Sequence, residues 1–257
     1  MKRRIGLAAL TVLELSPAEQ IDVAARAGYD FVGLRLIPVA GQPYSHPVEV
    51  AEIEKQLADS GVPVLDVEVF RLAPETTVGD FEPMMAIAAR LRATDLLVHG
   101  ADPDEARLTE TWGRFCGLAS SYGLTANLEP MPWVDVSTVQ KANRILSSAP
   151  KPNAAVLIDA IHFYRENNSI KDLSSTRTRY VQLCDARAEK PASMDEIRRQ
   201  AREDRLMPGE GGLDLRGMLE ALPPNLPISL EVPCAKPMAA PERAKRALQL
   251  TRALLDS

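Results

Sequence analysis

The chain has 257 residues, a length that suits one large domain as well as two small ones. Lys and Arg total 30 against 35 Asp and Glu, giving a net charge of −5 and a pI near 5.4, which argues against a nucleic-acid coat or a polybasic membrane binder. With only 3 histidines (His46, His99 and His162) a His-rich zinc centre is excluded, so any metal site must lean on carboxylates.

The basic start is followed by an apolar run that Glu14 interrupts, so residues 5–10 read as a buried first strand rather than a signal segment. Ser16 and Pro17 open a helix through 26, and Gly28 ends it. A strand over 31–36 leads to a helix over 47–59, closed by Ser60 and Gly61. The cycle continues with strand 62–70, helix 80–92, strand 95–99 and a helix over 104–122 that stops at Gly123. Strand 125–129, helix 137–147 and strand 154–159 follow, then a weaker helix around 169–175 and a strand over 180–185. After a long polar stretch come a short helix over 215–221, a strand over 228–232 and a closing helix over 241–255. No apolar stretch approaches the ~18–20 residues of a membrane span. The distant cysteines Cys116, Cys184 and Cys234 form no C-x-x-C pair, so free thiols in a reducing cytoplasm are expected.

This makes about eight strand-then-helix units, with strands apolar nearly throughout, as in a parallel sheet buried on both faces. The expectation is a single (β/α)8 TIM barrel over residues 1–257. The alternative, a doubly wound open sheet, would usually carry a glycine-rich turn after the first strand; residues 11–16 contain no glycine.

In a barrel the active groups sit at the C-terminal strand ends. There the sequence places Glu68 and Arg71, His99, Glu129, Asp159 with His162 three positions on, Gln182 and Asp185, and Glu231. Carboxylates converging on one low-dielectric mouth repel, and a divalent cation is the simplest remedy. Two Glu, one Asp and a neutral oxygen donor suit Mn2+, Mg2+ or Co2+, with Zn2+ also admissible.

These pieces, Asn127-Leu128-Glu129-Pro130, Asp159-Ala160-Ile161-His162, Gln182-Leu183-Cys184-Asp185, Pro208-Gly209-Glu210-Gly211 and Leu230-Glu231-Val232, resemble the xylose isomerase-like barrels, the sugar phosphate isomerase/epimerase family. The resemblance covers essentially the whole chain. It implies that Glu129, Asp159, Gln182 and Glu231 hold one divalent cation. The family generally carries histidine at the fourth position; Gln182 instead is similar to the Glu, Asp, Gln, Glu set of the 3-dehydroshikimate dehydratases.

Two chemistries follow from the resemblance. One is isomerisation or epimerisation of a small keto-sugar or sugar phosphate through an ene-diolate, with Glu129 and Glu231 moving the proton on either face. The other is dehydration of a keto-polyol or cyclic keto acid. A noncatalytic sugar- or metal-binding barrel is the third option. His162 is a proton shuttle, substrate contact or second-metal ligand; His99 contacts substrate. Glu68 and Arg71 pair with each other or reach substrate, and Trp133 walls the site. Arg205 is the substrate-anion candidate, in a loop that the family places over the mouth. Residues 196–205 carry charges at helical spacing that a solvated helix face explains, and Pro208–Gly212 is expected to act as a flexible hinge. His46 is expected to be structural and Asp185 to hydrogen-bond a ligand from behind. The expected partner is a small molecule, in a cytoplasmic protein without nucleic-acid or membrane partners and compatible with a homo-oligomer.

Overall fold

The computed structural model describes residues 3–42, 44–166 and 168–256. Its strands are β1 (Ile5–Leu7), β2 (Phe31–Arg35), β3 (Val64–Leu72), β4 (Asp95–Gly100), β5 (Thr125–Glu129), β6 (Ala154–Val156), β7 (Ile158–Asp159), β8 (Val181–Leu183) and β9 (Ile228–Leu230). Every pairing is parallel, in the order β6-β5-β4-β3-β2-β1-β9-β8-β7. The two ends of this sheet, β6 and β7, are one segment interrupted only at Leu157, so the sheet returns on itself as a nearly closed barrel. The strand expected over 154–159 is therefore present in two pieces, one paired to each neighbour.

Around the sheet lie α1 (Pro17–Ala27), α2 (Val50–Ser60), α3 (Glu82–Arg90), α4 (Glu105–Ser121), α5 (Val139–Ser148), α6 (Ala160–Arg165), α7 (Ile170–Leu173), α8 (Met194–Glu203), α9 (Leu215–Ala221) and α10 (Ala240–Asp256). Local sequence chemistry sets their ends. Ser16 and Glu19 close a capping box on α1, Pro17 takes the first helical position, and Gly28 adopts φ 85°, where an L side chain is strained. None of these helices is long and apolar enough to cross a membrane.

Three elements differ from the sequence expectation. The first strand ends at Leu7, and Ala9–Val12 turns as a 3-10 helix. The reason is Thr11, which is fully buried and whose hydroxyl donates to the Leu230 carbonyl at 2.7 Å while accepting from the Val232 amide at 2.8 Å. Helix α6 starts directly on a strand because Asp159 caps it, its Oδ1 accepting from the amides of Ile161 (2.9 Å) and His162 (3.2 Å). Helix α8 arises in the polar stretch after β8; Ser193 caps it, and Ile197, Gln200 and Ala201 bury one face.

Apolar residues form two layers. Between sheet and helices lie Ile21, Val32, Phe70, Trp112, Phe115 and Ile145 among many others, with Phe70, Phe81 and Phe115 meeting edge to face at 5.3 to 5.7 Å. Inside the barrel Phe31, Leu65, Val69, Leu97, Leu157 and Tyr180 make a separate, smaller plug. Gly6 is dictated here: a Cβ on it would meet the Phe31 ring at 1.9 Å.

The plug is not wholly apolar. Asp66 is 1% exposed; its Oδ2 accepts from the Tyr180 hydroxyl at 3.0 Å and its Oδ1 has no partner. Burial, with the Glu68 charge nearby, pushes the Asp66 carboxyl well above its ordinary value of 3.8. The fold therefore retains a proton that the unfolded chain releases, and this group costs stability as pH rises above about 4. Asp66→Asn copies the neutral acid in shape. It is expected to match the wild type at pH 4 and to exceed it at pH 8 by about 1 kcal/mol, or roughly 2–4 °C in melting temperature. A wild-type-to-variant difference that stays constant with pH would mean that Asp66 is ionised in the fold.

Candidate functional site

The C-terminal strand ends open on a cavity of ≈ 480 Å3. Strand alternation aims every second residue inward. Thus His99 and Glu129 face one another across the β4–β5 register, and Asp159 and Gln182 across β7–β8. Glu231 follows the last residue of β9, held there by the Thr11 hook on both sides of it. His162 stands one helical turn beyond Asp159 on α6.

Of the residues expected to hold a cation, the structure groups Glu129 and Asp159 with His162: one donor atom of each lies within 4.8 Å of the others, and all three are buried. Gln182 is fully buried beside them; its Nε2 donates to Glu231 Oε1 at 3.2 Å, and its Oε1 has no partner. Glu231 thus stands next to Gln182, but outside the tight triad. His162 Nδ1 is also buried without a partner. Buried polar atoms are almost always satisfied, so the orphaned carbonyl oxygen of Gln182, opposite Asp159 in register, together with the Glu129, Asp159 and His162 group, forms a donor set that a divalent cation fits.

Arg205 departs from its expected role. Its guanidinium is 2% exposed and lies beneath the mouth, with Nη1 2.6 Å from Asp159 Oδ2 and Nη2 2.8 Å from Glu231 Oε2. Its Nε donates to the Ala201 carbonyl at 2.6 Å and Nη1 also reaches the Glu231 carbonyl at 3.2 Å. The side chain sets the positions of two acids and has little freedom left to clamp a substrate anion.

These contacts set the charge states. Burial pushes Asp159 up, but the charge and hydrogen bonds of Arg205 and His162 together outweigh it and hold that carboxyl below its ordinary value. Burial and Asp159 drive Glu129 well above the usual carboxylate range; burial does the same to Glu231 in spite of Arg205. His99 and His162 are pushed down to about 3, chiefly by burial, so both rings are neutral near pH 7. His99 Nε2 lies 2.8 Å from Glu129 Oε2 and fixes that carboxyl; His162 Nε2 lies 3.8 Å from Oε1 of the same group.

The remaining expectations divide. Glu68 does not pair with Arg71: its Oε1 accepts from Arg35 at 2.8 Å, across the β2–β3 register. Arg71 is exposed on the cavity rim, with no such partner among the described residues. Trp133 lines the cavity, its ring edge-on to His162 at 4.9 Å. Asp185 faces its own chain, accepting from the amides of Gly209 (3.1 Å), Gly211 (3.0 Å) and Leu213 (3.1 Å). The glycine-rich loop is therefore pinned and does not form a free hinge; a Cβ on Gly211 would sit 2.3 Å from Asp185 Oδ1. His46 binds the Leu13 carbonyl at 3.0 Å, a structural contact. The cysteines are free, with Cys116 and Cys184 buried.

Three cavity residues escaped the sequence reading. Arg35 ends β2 and was available to the same strand-end argument that found the acids. Arg198 and Arg202 project from α8, where their i,i+4 spacing is the signal.

Removal of Arg205 tests the charge balance. Arg205→Met leaves Asp159 and Glu231 buried without a counter-charge and is expected to lose about 3–5 kcal/mol in urea denaturation at pH 7. The loss shrinks towards pH 5, where the freed carboxyls take up protons. A loss of equal size at both pH values would assign Arg205 a packing role only.

Comparison with known proteins agrees with this architecture. The profile of the xylose isomerase-like TIM barrels matches residues 21–254. A 3-dehydroshikimate dehydratase of Pseudomonas aeruginosa is 26% identical over 248 residues, covering 88% of this chain; the chain spans 37% of that protein's length. The IolI protein, solved with a bound zinc atom, superposes with a TM-score of 0.79 at 17% identity, covering 98% of each chain. The D-allulose 3-epimerase of Methylomonas sp., solved with D-allulose, gives a TM-score of 0.72 at 18% identity, covering 98% of this chain and 97% of that one. With nearly the full chain inside the profile, this protein belongs to the xylose isomerase-like TIM barrel family.

Proposed function

We propose that this protein is a divalent-metal-dependent isomerase or epimerase that removes the proton beside a ketone carbonyl of a small polyhydroxylated substrate and returns it to a neighbouring carbon or to the opposite face. The observation that carries this reading is the convergence of Glu129, Asp159 and His162 donor atoms within 4.8 Å at a cavity that Glu129, His162 and Glu231 line, with Gln182, whose Oε1 is unpartnered, opposite Asp159 in register and bonded to Glu231.

Glu129, Asp159, His162 and Gln182 would hold the cation, which would supply Lewis-acid polarisation of the substrate carbonyl. The chain's own groups do the rest. Glu129 and Glu231 come from well-separated strands, so each can reach a different side of a substrate lying between them, one taking the proton and the other returning it. His99 holds Glu129 in place through its 2.8 Å contact. Arg205 orients Asp159 and Glu231 and keeps Asp159 anionic. Trp133 and Met131 wall the cavity against water.

A second reading shares the first step. Gln182 and the dehydratase relative favour loss of a β-hydroxyl from the same enolate, as in a lyase acting on a cyclic keto acid. The two readings differ in whether a hydroxyl leaves before the proton returns.

Calorimetric titration with Mn2+ tests the site. The wild type is expected to bind, and Glu129→Gln and Asp159→Asn to weaken binding at least about 100-fold; a wild type that fails to bind Mn2+, Mg2+, Co2+ or Zn2+ removes the reading. With metal loaded, exchange of the α-proton of a ketose panel in D2O, followed by NMR, is expected without net loss of hydroxyl. Appearance of protocatechuate absorbance from 3-dehydroshikimate, with no ketose exchange, selects the lyase.

A further inference from the structure

The chain carries a net charge of −5, yet the cavity wall above the acidic floor is basic: Arg35, Arg71, Arg198 and Arg202 all line it. Arg35 is neutralised by Glu68. Among the described residues Arg198 has an ion pair only with the highly exposed Asp195, at 3.4 Å. Arg71 and Arg202 form no ion pair or hydrogen bond through their guanidinium groups with any described residue. Arg202 is half-buried, and its guanidinium carbon lies 6.0 Å from the centroid of the Trp133 ring, a contact that holds the planar group in place and leaves its N–H edge free.

These charges act on the same space. His99, which lines the cavity, feels Arg35, Arg71 and Arg202 together, and His162 feels Arg202 as well as Arg205. Burial and the like charges of Arg198 and Arg35 press on Arg202 itself, lowering its proton affinity. Keeping the half-buried Arg202 unpaired on a wall that also carries Arg198 and the exposed Arg71 is unfavourable unless an anion shares the site. No described residue supplies that anion, and the floor acids are already engaged with Arg205, His99 and Gln182.

We infer that Arg202 and Arg71, supported by Arg198, form an anion subsite, and that the substrate enolised at the floor carries a carboxylate or phosphate at its other end. This deepens the proposed function and rests on its placing of the chemistry at Glu129 and Glu231. Arg202 and Arg71 are specificity-determining residues that bind the remote end of the substrate and leave the reacting carbon to the floor. The arrangement orients the substrate by charge: its anionic end is held at the basic rim, which presents the neutral polyol or ketone end to Glu129 and Glu231.

The test uses Mn2+-loaded full chain and calorimetry with three probes: shikimate as a cyclic carboxylate lacking the ketone, inorganic phosphate, and neutral D-fructose. At least one anion is expected to bind more tightly than D-fructose, to lose affinity at least about tenfold in Arg202→Gln and in Arg71→Gln, and to weaken as NaCl is raised. Arg202→Lys is expected to retain part of the affinity. Preference for shikimate selects a carboxylate substrate, and preference for phosphate selects a phosphate ester. Phosphate bound only on the metal would be indifferent to both arginine substitutions, and that result overturns the subsite. So does binding of D-fructose equal to or tighter than that of both anions, or no binding of either anion. In each of these cases undiminished Mn2+ binding and α-proton exchange leave the proposed chemistry standing, whereas loss of Mn2+ binding with retained, arginine-dependent anion affinity strikes that chemistry and spares the subsite.

Discussion

The structure turns on the burial of more acid than base at one end of the barrel. Glu68, Glu129, Asp159 and Glu231 are each at most 4% exposed, and the buried cations among them are Arg35 and Arg205. Carboxylates in a low-dielectric interior cannot all remain charged against so little counter-charge. The chain answers in graded ways. Arg205 keeps Asp159 anionic, whereas burial drives Glu129 and Glu231 towards the protonated form. A bound divalent cation would replace those protons with a charge that ligates the same oxygens, so the donor set and the protonation pattern express one constraint.

That constraint reaches into the backbone. Asp159 cannot serve only the cavity, because its Oδ1 caps α6 and its Oδ2 meets Arg205. Capping in turn fixes His162, whose backbone amide is one of the two that Asp159 holds. Arg205 draws the segment after α8 down to the floor by donating to Ala201 and to the carbonyl of Glu231. Asp185 then anchors the glycine-rich loop that follows. The long polar stretch after β8 is therefore ordered by charge and amide hydrogen bonds more than by apolar burial, which is why its organisation differs from that of the rest of the chain.

The same distinction explains what could be read from the sequence. The strands and most helices follow from apolar runs, Ser16 and Pro17, and glycine stops, all local signals. Glu129, Asp159 and Glu231 were legible because a carboxylate ending an apolar strand needs a reason. Their partners were not. Arg205 reads as a substrate-anion clamp at the end of a charged run, and only the tertiary fold turns its side chain inward beneath α8 onto Asp159 and Glu231. Glu68 sits near Arg71 in sequence but opposite Arg35 in register, and register is set by the whole sheet. Asp185 follows a strand end much as Glu231 does, but its carboxylate is engaged by backbone amides supplied from 24 to 28 residues away. Helix α6, at six residues, is too short to produce a periodic signal and exists through its cap.

Helix α8 joins the two halves of the site. One of its faces is buried through Ile197, Gln200 and Ala201, which fixes its rotation about its own axis. With that rotation fixed, Arg198 and Arg202, one turn apart, reach the cavity wall, and the chain leaving the helix delivers Arg205 to the floor. A shift of α8 would move rim and floor charges together: the guanidinium that balances Asp159 and Glu231 is tethered to the Ala201 carbonyl of the same helix that carries the rim. The polarity of the cavity, acidic below and basic above, is thus a property of one element packed in one orientation, and it orders whatever small polar molecule enters the cavity before any proton moves.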